Sequence, residues 1–142
     1  MSNQFFNLAF SYLDACYLTQ SQDKFEKIIS KSVELKHQTN KEPVLCDQGR
    51  KKVMDFFKQY VLENTSEVNL KQFNVKEHGD GIVVKIKVEE SKKDSYGKIR
   101  RFLFNETTYF HFKNKPGTMP KISMIDTKIQ KTSLKSQRAP QL

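Results

Sequence analysis

Cysteine, glycine, proline and histidine are all scarce in this chain: two Cys, five Gly, four Pro and three His among 142 residues. Each shortage excludes something. Cys16 and Cys46 have no nearby histidine partner, so the spacing a structural zinc site needs is missing and no metal is expected. Two thiols allow at most one bridge, far from the disulfide framework of a small secreted scaffold. No Gly-rich loop is present to cradle a phosphate, and no motif implies a cofactor. No apolar run approaches the roughly 20 residues of a membrane span. The N-terminal "MSNQFFNLAFSYLDACYL" lacks a cationic leader and a cleavage site, so it does not read as a signal peptide. An intracellular chain, cytoplasmic or nuclear, is the expectation. There is no internal repeat and no low-complexity block.

What the chain does have is phenylalanine and positive charge. Eleven Phe within a 37% apolar composition suffice for one real core. The length suits one domain, expected over residues 1–132, with a flexible basic tail at 133–142. The formal net charge is +9. Such an excess favours an acidic protein, a nucleic acid or an anionic surface, or it serves only solubility.

Hydrophobic spacing orders the elements. Phe5, Leu8, Ala9, Tyr12, Leu13 and Cys16 recur at helical steps over residues 3–19, and Phe6, Phe10 and Tyr17 widen that stripe until most sides are covered. Ser21 is placed to cap a second, short helix through Ser30, with Phe25, Ile28 and Ile29 inward. "SVELKHQ" is extended and "TNKEP" a turn. In "CDQGRKKVMDFFKQYV", Asp47 can cap a third helix whose Val53, Phe56, Phe57 and Tyr60 share a face. Beyond Asn64 the period changes to two. "EVNLKQFNVKE" is a strand, "HGDG" a tight turn, and "IVVKIKVEE" alternates with Ile82, Val84, Ile86 and Val88 on one side. "KIRRFLFNETTYFHFK" is a long strand whose alternation falters near Asn105, as at a bulge. "NKPGTMP" turns into a last strand, "KISMIDTKIQK". The expected fold class is α+β: three N-terminal helices packed on a strongly curved, mostly antiparallel sheet, a cystatin-like cone. A cone closed at one end leaves a natural pocket at the other.

This order of elements resembles the nuclear transport factor 2-like superfamily, which includes SnoaL-like and ketosteroid-isomerase-like proteins. The resemblance spans residues 3–132. It is carried by Gly49, Arg50, Val53, Phe56 and Phe57 opening the third helix, by Tyr12 in helix one, and by the closing hairpin "FHFKNKPGTMPKISMID". In the isomerase branch the helix-one tyrosine works with two acids. Here Tyr12 matches the tyrosine, while Leu35 and Thr108 stand where the resemblance places the carboxylates. Leucine cannot abstract a proton and threonine cannot replace a protonated acid, so isomerase chemistry of that kind is not expected.

Tyr12, His111 and Asp14 remain as weak catalytic candidates. Phe110 and Phe112 read as the core face of their strand, which turns His111 outward. Tyr12, Phe56, Tyr60 and Tyr109 are candidates to line the pocket, or they pack in the core with each tyrosine hydroxyl satisfied locally. Basic residues gather at Arg50, Lys51 and Lys52, at Lys92, Lys93, Arg100 and Arg101, and in the tail at Lys128, Lys131, Lys135 and Arg138. Phosphate contacts there would be salt-sensitive, and Tyr96 is the one aromatic in a basic loop that could stack a base. The long strand carries Phe102, Phe104, Phe110 and Phe112 on one side and Leu103 and Tyr109 on the other. A strand apolar on both faces is normally covered on both. The leading expectation is therefore a non-catalytic assembly module, forming a homodimer or docking a protein on the outer sheet face. The alternatives are a small-molecule-binding protein or enzyme using the cone, or a basic RNA-binding accessory protein. An open cavity holding a buried titratable group would favour the small-molecule reading; a cone filled with Phe would sink it.

Overall fold

The computed structural model describes residues 3–64 and 66–134. Helical spacing at the start of the chain folds as α1 (Asn3–Leu13), extended by a wider π-helical turn over Asp14–Leu18. Ala9, Leu13 and Cys16 are buried, as their stripe requires. Phe10 is not covered: it stays exposed and meets Phe73 edge to face at 6.0 Å.

The Ser21 hydroxyl accepts the Lys24 backbone N–H at 3.3 Å and opens α2 (Gln22–Ile28). The chain leaves the helix two residues sooner than its spacing suggests, because Ile29 starts β1 (Ile29–Thr39) opposite Ile122. A run rich in Ser and β-branched residues gains more from a sheet than from another helical turn.

The segment before the third helix differs from expectation. Asp47 belongs to β2 (Leu45–Gln48), paired antiparallel with Leu35 of β1, and does not cap the helix. The cap position of α3 (Arg50–Phe57) is Gly49, at φ +91°, and no side chain bonds there. Glycine occupies that backbone region freely, so a strand can turn directly into a helix. A second π-helical turn, Lys58–Leu62, ends α3.

Four long strands follow: β3 (Glu67–His78), β4 (Gly81–Lys93), β5 (Ile99–Lys113) and β6 (Lys121–Leu134). The tight turn at Gly79–Asp80 stands as read, with His78 paired to Gly81. The expected tail loses two residues to β6, and residues 135–142, with Lys135 and Arg138, lie outside the described residues. The sheet runs β2-β1-β6-β5-β4-β3, parallel only between β1 and β6. Its irregularities fall between Leu70 and Gln72, between Ile29 and Glu34, and between His111 and Phe112. Register holds through Asn105, which faces Lys87 and Gln130, so the expected bulge there is absent. Such bulges raise local twist and bend.

The three helices pack on the curled sheet as an α+β cone, the expected class. Its narrow part is filled by apolar side chains. Phe25 and Phe57 stack at 4.3 Å, and Phe110, Ile82, Ile122 and Ile125 close around them. Burying each such side chain contributes roughly 1.5–3 kcal/mol.

Candidate functional site

The core does not fill the cone. Beyond Phe25 and Phe57 an open cavity of about 570 Å³ extends toward the wide end. Its floor is buried and its rim is exposed and polar, with Asn40, Gln59, Glu63 and Lys92. Both π-helical turns feed it. The first carries Cys16 and Tyr17, the second Tyr60 and Val61. In each, the cap N–H reaches a carbonyl five residues back, Thr19 to Asp14 and Glu63 to Lys58, both at 2.8 Å. The wider turn rotates the next side chains relative to an α-helix, and such turns recur at functional sites.

The chemistry sits on β5. Glu106 is 9% exposed, and the Tyr17 hydroxyl donates to its Oε2. Oε2 has that one partner; no bond to Oε1 exists among the described residues, and the carboxyl group lines the cavity. Burial raises its pKa to about 7, against the lowering effect of the Tyr17 hydrogen bond. Burial pushes the Tyr12 and Tyr17 phenols well above their ordinary range, with Glu106 adding to both, and it raises the Cys16 thiol likewise. At neutral pH the phenols and thiol thus stay protonated as donors, while Glu106 changes charge. A carboxyl group poised there can accept or deliver a proton.

Thr127 lines the wall beside Tyr12, and its hydroxyl lies 2.9 Å from that of buried Thr108. His37 packs on Phe56 and Tyr60, with centroids at 4.9 and 5.6 Å, and burial lowers its pKa. It belongs to the pocket wall.

The structure sorts the sequence candidates. Tyr12, Phe56 and Tyr60 line the cavity together. Tyr109 does not: it points from the opposite face of β5, against His78 at 5.0 Å, since it alternates with buried Phe110. His111 is exposed on that same outer face, and Asp14 pairs with Lys24 at 3.0 Å outside the cone. Leu35 is buried in the cavity wall and Thr108 bonds Thr127, so neither place holds an acid. The acid is Glu106, two residues before Thr108 and therefore on the same inward face. That phase with Phe104 and Phe110 was the available signal.

The basic candidates are dispersed. Arg50 turns inward and donates to the Ile29 carbonyl at 3.1 Å. Arg100 pairs with Asp94 at 3.7 Å, and Arg101 with Glu89. Lys93 is exposed near the β4–β5 turn beyond Lys92, and Lys51 and Lys52 are exposed on the first turn of α3. Tyr96 is 94% exposed in that β4–β5 turn. Outside the cone, Leu103 and Tyr109 are half-buried among Lys85, Lys87, Asn105, Thr107 and Lys128, so the outer face is mixed and not an apolar sheet. Among the described residues no three His, Cys, Asp or Glu could share a metal ion, and no helix is long and apolar enough to cross a membrane.

No family model matches the chain, and no curated protein is similar to it in sequence. Its architecture does recur. An NTF2-like protein of unknown function from Cytophaga hutchinsonii is similar over 91% of this chain and 98% of its own, at TM-score 0.55 and 14% identity. A putative polyketide cyclase from Xanthomonas campestris is similar at TM-score 0.67 and 14% identity, over 89% and 90%. The CaMKII hub of S. rosetta is similar at TM-score 0.56 and 13% identity, over 94% and 96%. The chain has the NTF2-like, SnoaL-like cone fold.

Proposed function

We propose that this protein binds a small organic molecule in the cone, and that Glu106, held by Tyr17, handles a proton of that ligand. The supporting observation is the pairing of an open cavity with a buried carboxyl group whose Oε2 has a donor and whose Oε1 has none among the described residues. A carboxyl group taken out of water at several kcal/mol is costly as structural filler, since an apolar residue would pack there at less expense. A pocket of a few hundred Å³ with aromatic walls and few convergent polar groups is the ordinary form of a ligand site. The likeness to a putative polyketide cyclase is one of fold, and it shows this fold in a chain described as an enzyme. Screening a fragment library by NMR tests the reading. Hits should shift the resonances of Tyr17, Tyr60, Phe104 and Glu106 together. Hits that map elsewhere, or none at millimolar concentration, would overturn it.

Self-assembly is the second reading, favoured by Val83 and Tyr109, adjacent and half-buried on the outer sheet face beyond any core role. The likeness to a CaMKII hub shows the same fold in a chain described as a hub. Lys85, Lys87 and Lys128 on that face would bring like charges together against a second copy, which weakens it. Light scattering at micromolar concentration that returns a monomer removes it.

A further inference from the structure

The cavity's charge runs against that of the molecule. The chain carries 25 Lys and Arg against 16 Asp and Glu, yet the cavity is lined by Glu42, Glu63, Glu90 and Glu106 and by only two lysines, Lys92 and Lys131. One of those lysines is already engaged. The Lys131 ammonium lies over the Phe102 ring at 4.2 Å and the Phe104 ring at 5.3 Å, so a cavity-wall aromatic in this structure holds an ammonium on its face. Deeper in, next to Phe104 on the same face of β5, Glu106 presents an oxygen with no partner among the described residues, near Tyr12, Tyr17 and Thr127. Of the other titratable groups on the wall, burial lowers the His37 pKa, so at neutral pH it is uncharged and does not oppose a cation, and Cys16, Tyr12 and Tyr17 stay protonated and neutral.

We propose that the ligand of the cone is an organic amine, bound as its ammonium, with the charged nitrogen against Glu106 Oε1 and an apolar body along Phe56, Tyr60 and Phe104. The inference rests on the pocket reading above and specifies its ligand class. A desolvated carboxylate is stabilised by an opposite charge far more than by a neutral donor, and it discriminates most strongly where water is excluded. Aromatic faces add attraction for the cation and none for an anion. The positive surface does not defeat this, because charges farther than about 8 Å are largely screened at physiological salt. Glu42, Glu63 and Glu90 line the cavity itself, as most of the lysines do not.

Calorimetry with three probes of one shape tests the assignment: 3-phenylpropan-1-amine, 3-phenylpropan-1-ol and 3-phenylpropanoate. The amine should bind about tenfold or more tighter than the alcohol, and the carboxylate weakest. Amine affinity should rise as the pH increases from about 5.5 to 8, because the ammonium must meet an ionised Glu106. Glu106→Gln should cost the amine about tenfold or more and remove that pH dependence, with the variant's near-ultraviolet circular dichroism confirming its fold. Lys131→Gln, which takes a competing cation from the rim, should strengthen amine binding. Equal or tighter binding of the alcohol, or preference for the carboxylate, overturns the amine assignment and leaves the pocket. Failure of all three probes to bind or to shift cone resonances at millimolar concentration overturns both.

Discussion

At the scale of single residues, Glu106 sets a pH dependence opposite in sign to that of most carboxylates. Its folded pKa, about 7, lies above its ordinary 4.5. Between those values the folded chain holds a proton that the unfolded chain has lost. Stability from this group is therefore full below about pH 4.5, falls as pH rises toward 7, and is flat above. The difference is worth about 3 kcal/mol. His37, lowered by burial, acts the other way: stability from it is lost as pH falls. Comparing wild type with Glu106→Gln isolates the carboxyl group. Denaturant titration at pH 5 and pH 8 should show the variant gaining about 2.5 kcal/mol on wild type between the two; a constant difference would mean that Glu106 titrates normally. Tyr17→Phe removes the one donor to the ionised form among the described residues. The Glu106 pKa should then climb above 7, read from the ¹³C shift of its carboxyl carbon, at a stability cost of about 1 kcal/mol. An unmoved titration would show that the hydrogen bond does not support the charged form.

At the scale of elements, the sequence was most legible where packing is repetitive. Ile82, Val84, Ile86 and Val88 alternate and all four are buried. The same rule obscured the site. Near Asn105 the polarity pattern breaks while the backbone register does not, because the inward face of β5 turns polar at Glu106, which lines the cavity, and at buried Thr108. Pattern reading credited the break to a bulge and so passed over the carboxyl group. β2 was illegible for another reason: its four residues are too few for a period, and they form a strand only because β1 lies beside them. Gly81 marks how closely β4 and β5 approach. A Cβ there would stand 2.1 Å from the Phe110 carbonyl oxygen, a backbone atom that cannot move without disturbing the pairing. Gly81→Ala should cost about 3 kcal/mol or more in a thermal melt, well beyond an ordinary strand substitution. A melt within about 0.5 kcal/mol of wild type would mean that the two strands have slack.

At the scale of the whole molecule, pocket and core share a wall, so ligand and fold are thermodynamically linked. Phe25 and Phe57 are nearly fully buried and also floor the cavity. Phe57→Ala should cost about 3–5 kcal/mol and enlarge the pocket floor, lowering the denaturant midpoint without changing the slope of the transition. A ligand that occupies the cone of the folded chain alone stabilises all of it, by about 2.7 kcal/mol at a hundred times its Kd. If the ligand is an ammonium, that gain depends on the charge of Glu106. At pH 8 the empty fold carries a desolvated, ionised carboxylate, and the ammonium relieves it directly. At pH 5 the carboxyl group is protonated, and the ammonium must first displace the proton. At one fixed concentration, 3-phenylpropan-1-amine should therefore raise the melting temperature more at pH 8 than at pH 5, and in Glu106→Gln the two shifts should be equal. A larger shift at pH 5 would mean that the cone prefers a partner for the protonated acid, such as a carbonyl oxygen, and that Glu106 acts there as a proton donor.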